Sequence, residues 1–237
     1  EVLILSPRQR TAFEKYYPGC ESRLHQVPPG ISLDRRVDTT DKGMGTQLRT
    51  ELGLALNTKL LLQVGSGFRV KGVDRALRAM AALPKPQLEN CHYLLIGQDN
   101  PDRYLRLAKK LGIAEQFTVL PGRDDIPRFL AAADLLLHPA YSESAGYVLL
   151  EATIAGLPVL TTSTCGYAFH IEHAESGLVC SYPFEQAQLN SYLALMLGDL
   201  DAADWSKNGL EYGKQDELYS QASAVADFFE EFLAREA

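Results

Sequence analysis

Leu135-Leu-Leu137, running on into His138-Pro-Ala-Tyr-Ser-Glu-Ser-Ala-Gly-Tyr-Val-Leu-Leu-Glu151, is the stretch whose reading decides the fold. The apolar run has the length of a buried strand, and from Gly146 the apolar residues recur at helical spacing. A strand that turns at once into a helix is the repeating unit of a parallel sheet. Glu143 then stands in the loop, and Glu151 lies about a turn and a half into the helix, roughly 7 Å further along its axis. Unpaired amides at the helix start would face the same crevice and suit an anion such as a phosphate. Taken singly, either glutamate reads equally well as a solvated surface charge.

The same alternation extends in both directions. Strands are expected at 60–64, 93–96, 117–120, 135–137, 159–161 and 178–179, and helices at 73–82, 102–111, 126–132 and 146–155. This predicts an α/β chain, a Rossmann-like parallel sheet with helices on both faces. Ligands of such sheets bind at the carboxyl ends of the strands, near the topological switch point. Upstream, 2–5 reads as a strand and 7–17 as a helix with Ser6 as N-cap and Pro7 at its first position. Strand 24–27 leads into the breaker Pro28-Pro29-Gly30, then a polar entry loop at 31–40 and an amphipathic helix at 41–54. From Glu185 onward the period is helical, with apolar faces at Leu189, Leu193 and Leu197 and later at Phe228, Phe229, Phe232 and Leu233. Core burial is the leading expectation for these faces, with exposure of part of the later aromatic stripe as the alternative.

Composition narrows the function classes. The 237 residues are 46 % apolar and 22 % charged, with a net charge of −7. That balance argues against nonspecific binding to nucleic acid or an anionic membrane, because both reward clustered Lys and Arg. The longest apolar runs are broken by Asp or Pro well short of a membrane span, and no signal-peptide flank precedes the opening Glu1-Val-Leu-Ile-Leu-Ser. Cys20, Cys91, Cys165 and Cys180 show no paired spacing, and reduced thiols are expected. His170 and His173 have no accompanying acidic or Cys cluster at ligand spacing, so no metal site is expected.

Gly65-Ser-Gly67 follows a predicted strand and invites a dinucleotide-fingerprint reading, but the sixth position would be Val70, and the fingerprint fails. An ATPase phosphate loop fails too, because Lys71 precedes Gly72 and no Ser or Thr follows it. The glycines would let backbone come close to a diphosphate or a sugar, or form a plain strand-end turn. Lys71 is the best-placed cation for a diphosphate. Arg35, beyond the Pro-Pro-Gly breaker, is a second candidate. The loop Pro121-Gly-Arg-Asp-Asp125 follows another strand end, where Gly122 and Arg123 are candidate base-site residues; helix capping accounts equally for Asp124 and Asp125.

Glutamate, seven residues, glutamate and then Ala155-Gly-Leu-Pro158 resembles the signature of the retaining glycosyltransferases of family 4, built on two Rossmann-like domains (the GT-B architecture). Gln63-Val-Gly-Ser66, Lys71-Gly-Val-Asp-Arg75, Ile96-Gly-Gln98, Ala131-Ala-Ala-Asp-Leu-Leu-Leu-His-Pro-Ala-Tyr141, and Leu160-Thr-Thr162 with Cys165-Gly-Tyr167 extend the likeness. They resemble most closely the members that glucosylate a heptose of the lipopolysaccharide core. The resemblance implies a UDP-glucose donor with no cofactor and no metal. Its sugar would lie at Glu143, Ser144, Ala145, Gly146 and Tyr147, its ribose at Glu151, its diphosphate at Gly65, Ser66, Arg69, Lys71 and Arg35, and its uracil at Gly122 and Arg123. Glu143 and Lys71 would carry the chemistry. The family's usual Arg just before the lysine is Val70 here, with Arg69 one residue earlier.

Residues 1–27 would then close a first domain that is otherwise absent, 28–217 would be the donor-binding domain, and 218–237 a helix crossing back. The acceptor would be lipopolysaccharide core, reached through that first domain, with no nucleic-acid partner. The enzyme would be cytoplasmic, at the inner face of the inner membrane. Hydrolysis is disfavoured, since its paired carboxylates flank one glycosidic bond about 5 to 9.5 Å apart, whereas these two would address opposite ends of a donor. A nucleotide-sugar binding module without turnover, or a transferase or epimerase of the same fold with another sugar, stays open.

Overall fold

The structure, a computed structural model, describes residues 1–33, 42–55, 57–198 and 203–236. The chain begins with β1 (Val2–Ile4), α1 (Pro7–Tyr16), β2 (Leu24–Gln26) and α2 (Lys42–Glu51), and β1 and β2 form a separate two-stranded parallel pair. There follow β3 (Lys59–Val64), α3 (Val73–Ala81), α4 (Lys85–Glu89), β4 (Cys91–Ile96), α5 (Asp102–Leu111), β5 (Phe117–Leu120), α6 (Ile126–Ala132) and β6 (Leu135–His138). Next come α7 (Tyr147–Ile154), β7 (Val159–Thr162), α8 (Ala168–His173), β8 (Gly177–Cys180), α9 (Gln186–Gly198), α10 (Trp205–Tyr212) and α11 (Gln221–Glu236).

Strands β3 to β8 form one six-stranded sheet, parallel throughout, in the order β5-β4-β3-β6-β7-β8. The sheet starts in its middle at β3, grows outward to β5, and then returns to the other side of β3 as β6. The loops after β3 and β6 therefore part at the switch point, where a crevice opens in such sheets. Leu61 and Leu62 lie opposite Leu135 and Leu136 in this central pairing.

Both faces of the sheet are covered, as its continuous apolar strands require. Leu60, Leu62, Leu94 and Leu136 pack with Phe129 of α6 and with Leu149 and Leu150 of α7. The alternate residues Leu61, Tyr93, Leu95 and Leu135 point the other way, onto Leu77 and Met80 of α3 and Leu189 and Leu193 of α9. Each fully buried leucine contributes roughly 2 kcal/mol as an upper figure.

Ser6 caps α1 as expected, its hydroxyl accepting from the Gln9 N–H, with Pro7 in the first turn. The short helices α4 and α8 are not among the expected elements. In the tail, Leu189, Leu193 and Leu197 join the core, but the aromatic stripe follows the alternative of partial exposure. Phe229 is 53 % and Leu233 66 % exposed, while Phe228 and Phe232 are half-buried. The reason is geometric: α11 meets the small β1–β2 unit through Phe228, 4.7 Å from His25 of β2 between ring centroids, and Phe232 stacks on Phe228, while Phe229 and Leu233 lie on the outer side. The Pro28-Pro29-Gly30 crossing is stitched to the start of α11, where the Gln221 N–H and side-chain amide donate to Pro29 O and Pro28 O.

Candidate functional site

The turn after β3 is held from below. Gln63 is fully buried at the strand end; its amide donates to Lys71 O at 2.7 Å and its carbonyl accepts from the Tyr93 hydroxyl. Ser66 Oγ accepts from the Gln98 N–H at 3.1 Å, joining this turn to the end of β4. Lys71 closes the turn with its N–H on Gly67 O, and Gly72 starts α3 in the left-handed region at φ +71°. A Cβ on Gly72 would stand 2.0 Å from Pro139 O, so only glycine lets the Lys71 turn lie this close to the loop after β6.

That loop is clamped on both sides. Arg75, 8 % exposed, donates to Pro139 O and Ala140 O at 3.3 and 3.1 Å. Its guanidinium lies between the rings of Tyr141 and Phe184, 3.6 Å from each centroid. Two π faces and two carbonyls thus replace a carboxylate partner for a buried charge. Tyr141 adds its N–H on Val70 O and its hydroxyl on Asp74. From the β7 side, Thr162 and Thr164 hydroxyls both donate to Ala140 O. Glu143 then forms an isolated bridge with Cys165, its N–H on Thr164 O and its carbonyl accepting from Gly166. Gly146 precedes α7 at φ +96°, and a Cβ there would be 3.2 Å from Glu143 Cγ; glycine at this helix start leaves Glu143 its place.

These two frames bring the Lys71 ammonium and the Glu143 carboxylate into a direct ion pair, with side chains only 20 % and 16 % exposed. Burial pushes the Lys71 ammonium below the ordinary lysine range. Breaking such a pair would leave a partly desolvated charge uncompensated. Behind it stands His138, fully buried, with Nε2 3.6 Å from Glu143 Oε2. Burial and the Lys71 charge push its imidazole down to about 3, so the ring is neutral at ordinary pH. With the first amides of α7 beside Glu143, the site offers one cation, helix amides and one carboxylate. That set suits an anionic ligand that also carries hydroxyls.

The other expected residues are more dispersed. Gly65 lies in the Lys71 turn, where a Cβ would be 3.6 Å from Lys71 Cε. Arg69 faces a hollow of about 390 Å³ shared with Val70, Asp74, Arg103 and Tyr141. Ser144 is exposed, Ala145 and Gly146 are buried, and Tyr147 points its hydroxyl at Gln221 of α11, 3.1 Å away. Glu151 is half-buried on α7. Arg35 lies outside the described residues. Gly122 packs on Gln98, and Arg123 is engaged by Asp125 through two bonds of 2.7 and 2.9 Å. The capping expectation is corrected here: Asp125 stands at the N-cap of α6 but makes no side-chain cap bond, because its carboxylate is turned to Arg123. Two site residues, Arg75 and His138, sit inside motifs legible in the sequence, yet nothing in residue type or spacing gives them a role. Among the described residues no group of three His, Cys, Asp or Glu gathers as metal ligands, and no helix is long and apolar enough to cross a membrane.

Comparison with known proteins places this geometry. The chain is 43 % identical over 229 residues to the lipopolysaccharide glucosyltransferase WaaG of Escherichia coli K12, covering 96 % of this chain and 61 % of that protein. It is 33 % identical over 194 residues to the D-inositol 3-phosphate glycosyltransferase of Nocardia farcinica, covering 78 % of this chain and 42 % of that one. The crystal structure of WaaG superposes with a TM-score of 0.89 at 42 % identity, over 95 % of this chain and 61 % of that chain. Anabaena HepE, solved with UDP-glucose, shares the fold at a TM-score of 0.79 and 21 % identity, over 95 % of this chain and 63 % of that one. The chain thus spans about three-fifths of the length of WaaG. Residues 46–212, which carry β3 to β8 with the Lys71 turn and the Glu143 loop, match the family of glycosyl transferases group 1, and the chain belongs to that family.

Proposed function

We propose that this chain is the donor-binding part of a retaining glycosyltransferase that moves glucose from UDP-glucose to a heptose of the lipopolysaccharide core. The observation that carries the reading is the meeting of Lys71 and Glu143 across the β3–β6 switch point, in a chain 43 % identical to a lipopolysaccharide glucosyltransferase. That a protein of the same fold has been solved with UDP-glucose supports the donor class. In this reading residues 28–217 hold the donor, with uracil at the loop of Gly122 and Arg123 and ribose on Glu151. The diphosphate lies on Lys71 and the first amides of α7, and the sugar hydroxyls on Glu143. As the glycosidic bond breaks, negative charge grows on the departing diphosphate, and a fixed cation with oriented amides lowers that barrier. Lys71 takes the place of a divalent metal, and no cofactor takes part. The acceptor, the lipopolysaccharide core, approaches from beyond the described site, at the cytoplasmic face of the membrane.

The test is titration calorimetry of this chain with UDP, ADP and GDP. UDP is expected to bind most tightly, in the micromolar-to-millimolar range, on the order of −4 to −8 kcal/mol. Absence of heat with millimolar UDP, or equal binding of all three nucleotides, would overturn the reading.

A further inference from the structure

His138 closes β6 with its backbone fixed: it pairs in register with Thr161 of β7, whose hydroxyl donates to His138 O at 2.9 Å. Its ring is fully buried, yet neither ring nitrogen has a hydrogen-bond partner. Buried polar atoms are nearly always paired, so an orphaned imidazole on the wall of a site calls for an account. The charged and titratable groups around it are the Glu143 carboxylate and the Lys71 ammonium. The Cys165 thiol lies in the same wall, 3.3 Å from the Thr161 hydroxyl, and is kept protonated by burial.

A neutral imidazole carries one N–H. Placed on Nδ1, the proton would be a buried donor with no acceptor at hand. Placed on Nε2, it is directed at Glu143 Oε2, 3.6 Å away, a few tenths of an ångström beyond hydrogen-bond length. The same carboxylate oxygen is held by Lys71 rather than by His138.

We propose that His138 is a positioning residue for Glu143, whose Nε2–H takes hold of the carboxylate when the donor's diphosphate draws Lys71 away. The inference rests on the function proposed above and names how its site takes up the donor. The Lys71 ammonium has three N–H donors but a single charge to divide between Glu143 and a diphosphate, and the more highly charged ligand draws it. Glu143 is then a partly desolvated carboxylate that must be aimed at sugar hydroxyls. A neutral donor holds it in place without cancelling the charge that those hydroxyls need, which an imidazolium would do.

Three variants of the full-length protein separate this role from simple core packing. Gln at 138 can present an amide N–H near the place of Nε2, Asn presents one near Nδ1, and Leu presents none. His138→Gln is expected to keep most of kcat. His138→Asn and His138→Leu are expected to lose at least about tenfold in kcat, with a smaller loss of UDP affinity, because UDP brings the diphosphate that draws Lys71 away but no sugar hydroxyls for Glu143 to hold. The acid limb of the kcat profile should move up by about half a pH unit or more in His138→Leu and stay in place in His138→Gln, since losing a donor raises the carboxylate pKa. Gln and Leu variants that behave alike, whether both active or both inactive, would overturn the proposal. A second reading needs no variant: nitrogen-15 NMR of the histidines in the wild-type protein with UDP-glucose should show the proton on Nε2 of His138, and a proton on Nδ1 would sink it. A wild-type protein that neither binds nor turns over UDP-glucose would instead remove the function on which the inference stands.

Discussion

Lys71 and Glu143 hold each other as a partly buried ion pair, so their substitutions should part in direction as well as in size. Removing Glu143 frees the ammonium that a diphosphate needs. Glu143→Ala in the full-length protein is therefore expected to lower turnover at least about tenfold, the scale of one lost charge-assisted hydrogen bond at ~1.5–3 kcal/mol. UDP affinity should stay equal or rise. Glu151→Ala, on the ribose side, is expected to weaken UDP and UDP-glucose alike. Initial rates and calorimetry check both, and two variants with wild-type values would remove these residues from the site. Lys71→Ala is expected to cost about 2–4 kcal/mol of transition-state stabilisation. Lys71→Arg should recover only part, because a planar guanidinium does not fill the place of a compact ammonium. Chelator should leave activity unchanged; strict magnesium or manganese dependence, or a fully active Lys71→Ala protein, would end the metal-free account.

At the scale of elements, the site exists because the turn after β3 and the loop after β6 are locked together. Gly72 gives the close approach, and Arg75 ties the two with carbonyl bonds and a pair of stacked rings. Gly72→Ala, which places a Cβ 2.0 Å from Pro139 O in a left-handed backbone, is expected to cost about 2–4 kcal/mol of stability. Arg75→Met keeps most of the side-chain volume but removes the clamp, and should cost about 1–3 kcal/mol while lowering kcat through Glu143. Denaturant titration measures both; unchanged midpoints would show that the clamp is idle. The strands and most helices were legible because short continuous apolar runs, the mark of strands buried on both faces, alternate with segments whose apolar residues recur near every 3.6. The Glu143 loop and Lys71 turn were legible as strand ends followed by helices. Arg75 was not, because its charge is balanced by Tyr141 and Phe184, which meet it only once α3, the β6 loop and the segment before α9 are packed. The short helix α8 was hidden for a similar reason: Ala168-Phe-His-Ile-Glu-His173 has no clear apolar stripe, and packing of Ala168 and Ile171 into the core decides it. The aromatic stripe of α11 misled in the opposite sense, since periodicity marks an apolar face but not the size of what covers it.

For the whole molecule, the same burial that keeps histidines neutral makes acidity a route to unfolding. His138 is held down to about 3 and His170 to about 4, in both cases chiefly by burial, and burial also lowers His92. In the unfolded chain each titrates near 6.5. Above that pH these groups are neutral in both states and add no slope. Below it the unfolded chain binds protons that the native fold refuses, so stability is lost as pH falls from about 6.5 towards the folded values. The slope is up to ~1.4 kcal/mol per pH unit for each histidine. Two such groups give at most roughly 5 kcal/mol between pH 6.5 and 4.5, a large share of the 5–15 kcal/mol that holds a typical domain together. Carboxylates held low, such as Asp125 against Arg123, act only further down the scale. Urea denaturation at pH 7.5, 6.0 and 5.0 should therefore show a falling midpoint well before the carboxylates protonate. His170→Asn supplies the control: its amide can keep a hydrogen bond to the Tyr212 hydroxyl, which His170 Nδ1 meets at 2.6 Å, but it cannot take up a proton. Its stability should fall with acid by about one proton less than the wild type, and a wild-type midpoint that stays level from pH 7.5 to 5.0 would show that neither ring is kept neutral by the fold.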